Sequence, residues 1–78
     1  MTHIFVYVTA PTVEEARRIG TAAVEQKLAA CANILPQMES IYHWGGTVKN
    51  EKESVLILKT KESLFDTLSD FIAGTHSY

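Results

Sequence analysis

The sequence predicts an α+β domain, a split β-α-β sandwich whose two helices cover one face of an antiparallel sheet. Three observations predict it. Segments of helical period alternate with β-rich segments in the order β-α-β-β-α. The β-rich runs carry β-branched and aromatic residues and are bounded by Gly, Pro and polar positions. Residues 27–46, KLAACANILPQMESIYHWGG, are apolar without helical period and too long for an ordinary strand. From Ala29 to Trp44 such a segment reaches on the order of 50 Å, against roughly 17–20 Å for a common strand. No sheet that 78 residues form alone is wide enough to cover it, so it is read as an oligomer-forming segment.

Residues 3–9 (HIFVYVT) are predicted as the first strand. Ile4, Val6 and Val8 lie on one side, Phe5 and Tyr7 on the other. Ala10-Pro11 ends it, and Thr9-Ala10-Pro11 carries no phosphate-binding glycine pattern. Thr12-Val13-Glu14-Glu15 is a capping box, with Thr12 at N-cap and Glu15 at N3, the acidic pair suiting the positive end of the helix dipole. The first helix is expected to run to about Lys27, with Val13, Ala16, Gly20, Ala23, Val24 and Leu28 as a narrow stripe of small residues against the sheet.

The long strand follows. Pro36 has no N–H to give to a ladder and marks a bulge or an edge position. Gly45-Gly46 is expected to end the strand, with residues 47–50 completing a polar hairpin loop. The third strand is placed at residues 51–60, Glu53, Val55, Ile57 and Lys59 on one face and Ser54, Leu56, Leu58 and Thr60 on the other. A second helix is expected over residues 61–73, with Leu64, Leu68, Phe71 and Ile72 on one side, Phe65 beside them and Gly74 at C′. A helix after the third strand normally crosses over to a fourth, which in the ferredoxin-like sandwich lies against the first. The sequence ends before a fourth strand, and a truncated single domain over residues 1–78 is the expectation.

A chain this short buries only about 60% of its unfolded surface, so it needs a support beyond its core. One cysteine excludes an intrachain disulfide, and Cys31, His3, His43 and His76 are too scattered for a structural zinc site. Folding is therefore expected to need no cofactor, and self-association is the remaining support. The strands agree: the first and third are apolar on both faces, whereas a half-solvated antiparallel sheet alternates. A closed ring of copies with the sheets inward is expected.

The net charge of −2, with lysines alternating with glutamates, offers no basic face for nucleic acid. Apolar stretches are broken well short of a membrane span, so no membrane insertion is expected. Met1-Thr2-His3 leads into a strand without a basic leader segment, and a cytoplasmic protein is expected.

Leu28-Ala29-Ala30-Cys31-Ala32-Asn33-Ile34, Pro36, Ser40-Ile41-Tyr42-His43-Trp44 and Gly46 resemble the CutA divalent-cation-tolerance family. The resemblance continues through Thr9 with Pro11, Glu53, Leu56 to Lys59-Thr60, and His76 with Tyr78, and so covers essentially the whole chain. It implies a homotrimer of ferredoxin-like subunits similar to the PII signalling proteins, each long hairpin pairing with a neighbour. It further implies a role in tolerance of copper and other divalent metals, with no catalytic reaction. Animal members are associated with membrane anchoring of acetylcholinesterase, so an interaction scaffold is the alternative role, and an enzyme built on Cys31 a third. In some bacterial members copper binding is attributed to a cysteine of the first strand and two adjacent histidines. Val8 and Thr75 stand at the cysteine and the first histidine here, which leaves His76 as a single candidate ligand for Cu(II) or another divalent ion.

Cys31, with Asn33 and Lys59 across the hairpin, is either part of a ligand cleft or a small buried hydrophobe. Tyr42, Trp44, Glu53 and Lys59, with Tyr78, either line a cleft for a small anionic ligand or pack the interface between subunits. His3 and His43 are read as solvated.

Overall fold

The computed structural model describes residues 2–75. Strand β1 (His3–Ala10) leads into helix α1 (Val13–Glu25), strands β2 (Cys31–Trp44) and β3 (Thr47–Lys61), a 3-10 turn (Glu62–Leu64) and helix α2 (Phe65–Thr75). One antiparallel sheet has the order β1-β3-β2, so the α1 crossover joins two strands with β3 inserted between them. That is the expected split β-α-β arrangement. No helix among the described residues is long and apolar enough to cross a membrane.

Thr12 caps α1 as its position suggests, its hydroxyl accepting from the Glu15 N–H at 3.1 Å. The buried stripe is Ala16, Ile19, Gly20 and Ala23, while Val24 is turned outward. This corrects the expected stripe: the small residues bring the helix so close that only a narrow strip of it is covered. An added Cβ at Gly20 would lie 3.0 Å from Leu56 Cδ1 and 3.2 Å from Ala32 Cβ, so the backbone of α1 rests on the sheet there. Val8, Ala10, Ala29, Leu56, Leu58 and Leu68 complete the core. Arg18 ties the two helices, its guanidinium donating to the Thr75 carbonyl at 2.9 Å and lying 3.5 Å from Glu15.

Helix α1 ends at Glu25, two residues before the expected Lys27. Lys27 takes φ +60°, its N–H donates to the Val24 carbonyl at 3.0 Å, and the Leu28 N–H donates to that of Ala23 at 2.9 Å. This is the two-bond C-terminal motif that usually carries glycine at the left-handed position. A Cβ there costs free energy, so Lys27→Gly is expected to stabilise the fold by about 0.5–1 kcal/mol, read as a higher midpoint in thermal melts.

Several boundaries differ from expectation. Residues 47–50 are strand, because the hairpin is the two-residue turn Gly45-Gly46, with φ 59° and 82°. Two consecutive positive φ angles match the twist of the strands they join, so no longer loop is needed. Helix α2 begins at Phe65 after the 3-10 turn, and it runs through Gly74 to Thr75, so Gly74 is not at C′. The Thr75 hydroxyl donates back to the Phe71 carbonyl at 3.1 Å. The long ribbon, finally, is covered along one edge by its own chain, since β3 pairs with β2 from Cys31↔Lys59 to Trp44↔Thr47. What its length leaves uncovered is the outer edge of β3 before residue 54, for β1 pairs only residues 54–61 of β3. The hairpin projects beyond β1 and gives the molecule a long axis of 43 Å.

Candidate functional site

The bulge that Pro36 marks lies between Leu35 and Met38, where β2 gains one residue on β3. Ser54 donates its hydroxyl to the Pro36 carbonyl at 2.8 Å and holds the irregular turn of backbone. On the face away from the helices the ladder then sets Phe5–Lys59–Cys31, Tyr7–Ile57–Asn33 and Thr9–Val55–Leu35 in three successive rows. Beyond the bulge the same face continues as Met38 opposite Glu53, Ser40 opposite Glu51, Tyr42 opposite Lys49 and Trp44 opposite Thr47.

This face is apolar and open. Phe5, Tyr7 and Trp44 are 71%, 62% and 70% exposed, and Leu35 stands out beside them. Tyr7 donates its hydroxyl to the Met38 sulfur at 3.3 Å, bridging β1 and the root of the ribbon. Cys31 is half-exposed rather than a buried hydrophobe, with Lys59 as its direct cross-strand neighbour. Asn33 lies two residues along on the same face, so Cys31, Asn33 and Lys59 do come together.

Tyr42 and Trp44 do not join them. Lys59 and the partner of Tyr42, Lys49, are ten residues apart on β3, roughly 33 Å at 3.3 Å per residue. Glu53 lies between the two groups. A cleft containing all of them therefore needs more than one copy of the chain. Tyr78 and His76 fall outside the described residues. His3 and His43 are exposed.

Around Tyr42 the sequence missed a polar cluster. The Ser40 hydroxyl donates to Glu53 Oε2 at 2.7 Å, and Asn50 Nδ2 donates to Glu39 Oε1 at 3.1 Å on the other face. The Tyr42 hydroxyl bonds Glu51, which, with burial and the negative charges of Glu51 and Glu53, pushes its pKa above 10.0. A raised pKa means the contribution is present below 10.0 and lost as pH rises through the folded-state value. Spectrophotometric titration of a Tyr7→Phe, Tyr78→Phe protein is expected to show phenolate forming above the ordinary range. Glu51→Gln should bring it back down.

Among the described residues no group of three or more His, Cys, Asp or Glu side chains is placed to hold a metal ion. One copy's described residues thus do not make a closed site of the kind a tightly bound transition metal takes.

The profile described as CutA1 divalent ion tolerance protein matches residues 4–78. The chain belongs to the CutA1 family. "Protein CutA 1, chloroplastic" of Oryza sativa is 45% identical over 75 residues, 96% of this chain and 42% of that protein. The chain thus spans about two-fifths of that CutA relative. The crystal structure of CutA1 from Oryza sativa superposes with a TM-score of 0.92 at 45% identity, covering 97% of this chain and 70% of that one. A structure named as the periplasmic divalent cation tolerance protein CutA from Archaeoglobus fulgidus gives 0.90 at 40% identity, covering 99% and 74%. The two solved structures carry the same α+β fold, and the family description and the Archaeoglobus name speak of tolerance rather than of a reaction.

Proposed function

We propose that this chain acts in divalent-cation tolerance as a non-catalytic homotrimer, responding to a metal ion or a small anionic ligand at clefts between its copies. The observation that carries the reading is the open apolar face: Phe5, Tyr7, Leu35 and Trp44 project from the side of the sheet that the helices leave bare. A face of this kind is an interaction surface. Joining copies across it also supplies what one copy lacks, a way to bring Cys31, Asn33 and Lys59 of one chain toward Tyr42 and Trp44 of another. The cleft so formed has aromatic walls and few charges, as small-ligand sites do. Cytoplasmic residence fits the half-exposed thiol of Cys31, which a reducing compartment keeps from oxidising.

Catalysis through Cys31 finds little support, because its ladder neighbour is a lysine rather than the histidine that thiol activation calls for. For the metal, titration with Cu(II) is expected to show no tight site at one ion per chain. One tight site per chain, abolished by His76→Ala, would overturn this expectation and establish His76 as a ligand.

A further inference from the structure

At the end of the sheet away from the ribbon's tip, a cavity of about 340 Å³ lies between the end of α1, the start of β1 and the 3-10 turn. His3, Lys27 and Lys61 line it from three elements, against apolar walls of Val24, Ala29 and Leu64. Among the described residues no carboxylate lines it and none of the three basic side chains has an ion-pair partner. The Thr60 hydroxyl at its wall is already used, donating to the Leu28 carbonyl at 2.7 Å. His3 and Lys61 are direct cross-strand partners.

Bringing the two ammonium groups of Lys27 and Lys61 around one concavity is unfavourable until an anion lies between them. The chain as a whole is negative, with a net charge of −2, so general charge does not produce this concentration. Lys27 is also the residue held at φ +60°, where glycine is the easier occupant. The protein keeps a cationic side chain there at a cost in backbone strain, a pattern associated with functional positions.

We propose that this cavity binds a small anion, a phosphate or carboxylate head on a short apolar body. The two ammonium groups take the head, with His3 adding a third donor, and Val24 and Leu64 pack the body. A volume near the lower end of small-ligand pockets suits a compound of a few heavy atoms rather than a nucleotide. The site shares no residue with the open face and stands independently of the metal reading.

The test is a titration of the protein with inorganic phosphate, acetate and butyrate, followed by backbone amide NMR against sodium chloride at equal ionic strength. Saturable shifts confined to residues 2–4, 27–30 and 60–64 are expected, with butyrate binding more tightly than acetate. Lys27→Gly is the discriminating variant, since the same change should raise the melting midpoint and weaken phosphate binding at least tenfold. A Lys27→Gln, Lys61→Gln protein with native amide dispersion should show no saturable shift. Shifts that chloride reproduces, or that persist in either variant, would overturn the proposal.

Discussion

Leu56→Ala is expected to lower the unfolding free energy by about 3–4 kcal/mol, the range for a large aliphatic side chain removed from a packed core. Leu56 is completely buried, and one of its methyl carbons lies 3.0 Å from where a Cβ on Gly20 would stand. Helix α1 has no side chain of its own at that point, so the void cannot be filled from the helix side. A domain of this size has a total stability of roughly 4–12 kcal/mol, so the variant should be close to unfolding. Denaturant titration at fixed protomer concentration measures it, because association would add a concentration-dependent contribution. Leu56→Met, which conserves volume, should cost less than about 1.5 kcal/mol. A loss below 1 kcal/mol for the alanine variant would mean that α1 does not seat on Leu56 as described.

Phe5→Glu combined with Tyr7→Glu is expected to abolish self-association. Each aromatic ring buried at an interface contributes about 1.5–3 kcal/mol, so the pair accounts for a weakening on the order of a thousandfold before the new charges are counted. Both side chains are exposed in the single chain, so neither substitution removes a core contact, and the far-ultraviolet spectrum separates loss of association from loss of fold. Native mass spectrometry at micromolar concentration should give a trimer for the parent and a monomer for the variant. A parent protein that is monomeric under those conditions, or a variant that keeps the parent's mass, would sink the assembly on which the proposed function rests.

Much of this architecture was legible in the residues. The capping box at Thr12 and Glu15, the bulge at Pro36 and the two-sided apolar character of β1 each follow from local chemistry. Thr12 offers an acceptor where a helix lacks one, Pro36 lacks a donor where a ladder wants one, and Phe5 and Tyr7 alternate with Ile4 and Val6. The C-terminal motif at Lys27 was hidden because its usual marker is glycine, and here a lysine accepts the left-handed backbone. Placing residues 47–50 in a loop came from their polarity, whereas the two glycines before them already suffice for the turn. Centring the hairpin on Gly45-Gly46 would have paired Tyr42 with Lys49 and set Ser40 beside Glu51 and Glu53. The candidate site was half readable: Cys31, Asn33 and Lys59 meet, but their distance from Tyr42 and Trp44 depends on the full length of a ribbon whose end had been misplaced. The convergence of His3, Lys27 and Lys61 left no trace in sequence, as the three are far apart along the chain.

The single extra residue at the bulge also acts as a phase slip. Before it the odd-numbered residues Cys31, Asn33 and Leu35 look away from the helices, and after it the even-numbered Met38, Ser40, Tyr42 and Trp44 do. Thiol, amide and both aromatic rings therefore share one continuous surface that strict alternation would have divided between two. Shortening the ribbon by one residue at position 37 leaves every one of them facing as before. The same deletion a few residues nearer the tip turns Trp44 over to the opposite side, so tolerance of length change in this strand is concentrated at one point.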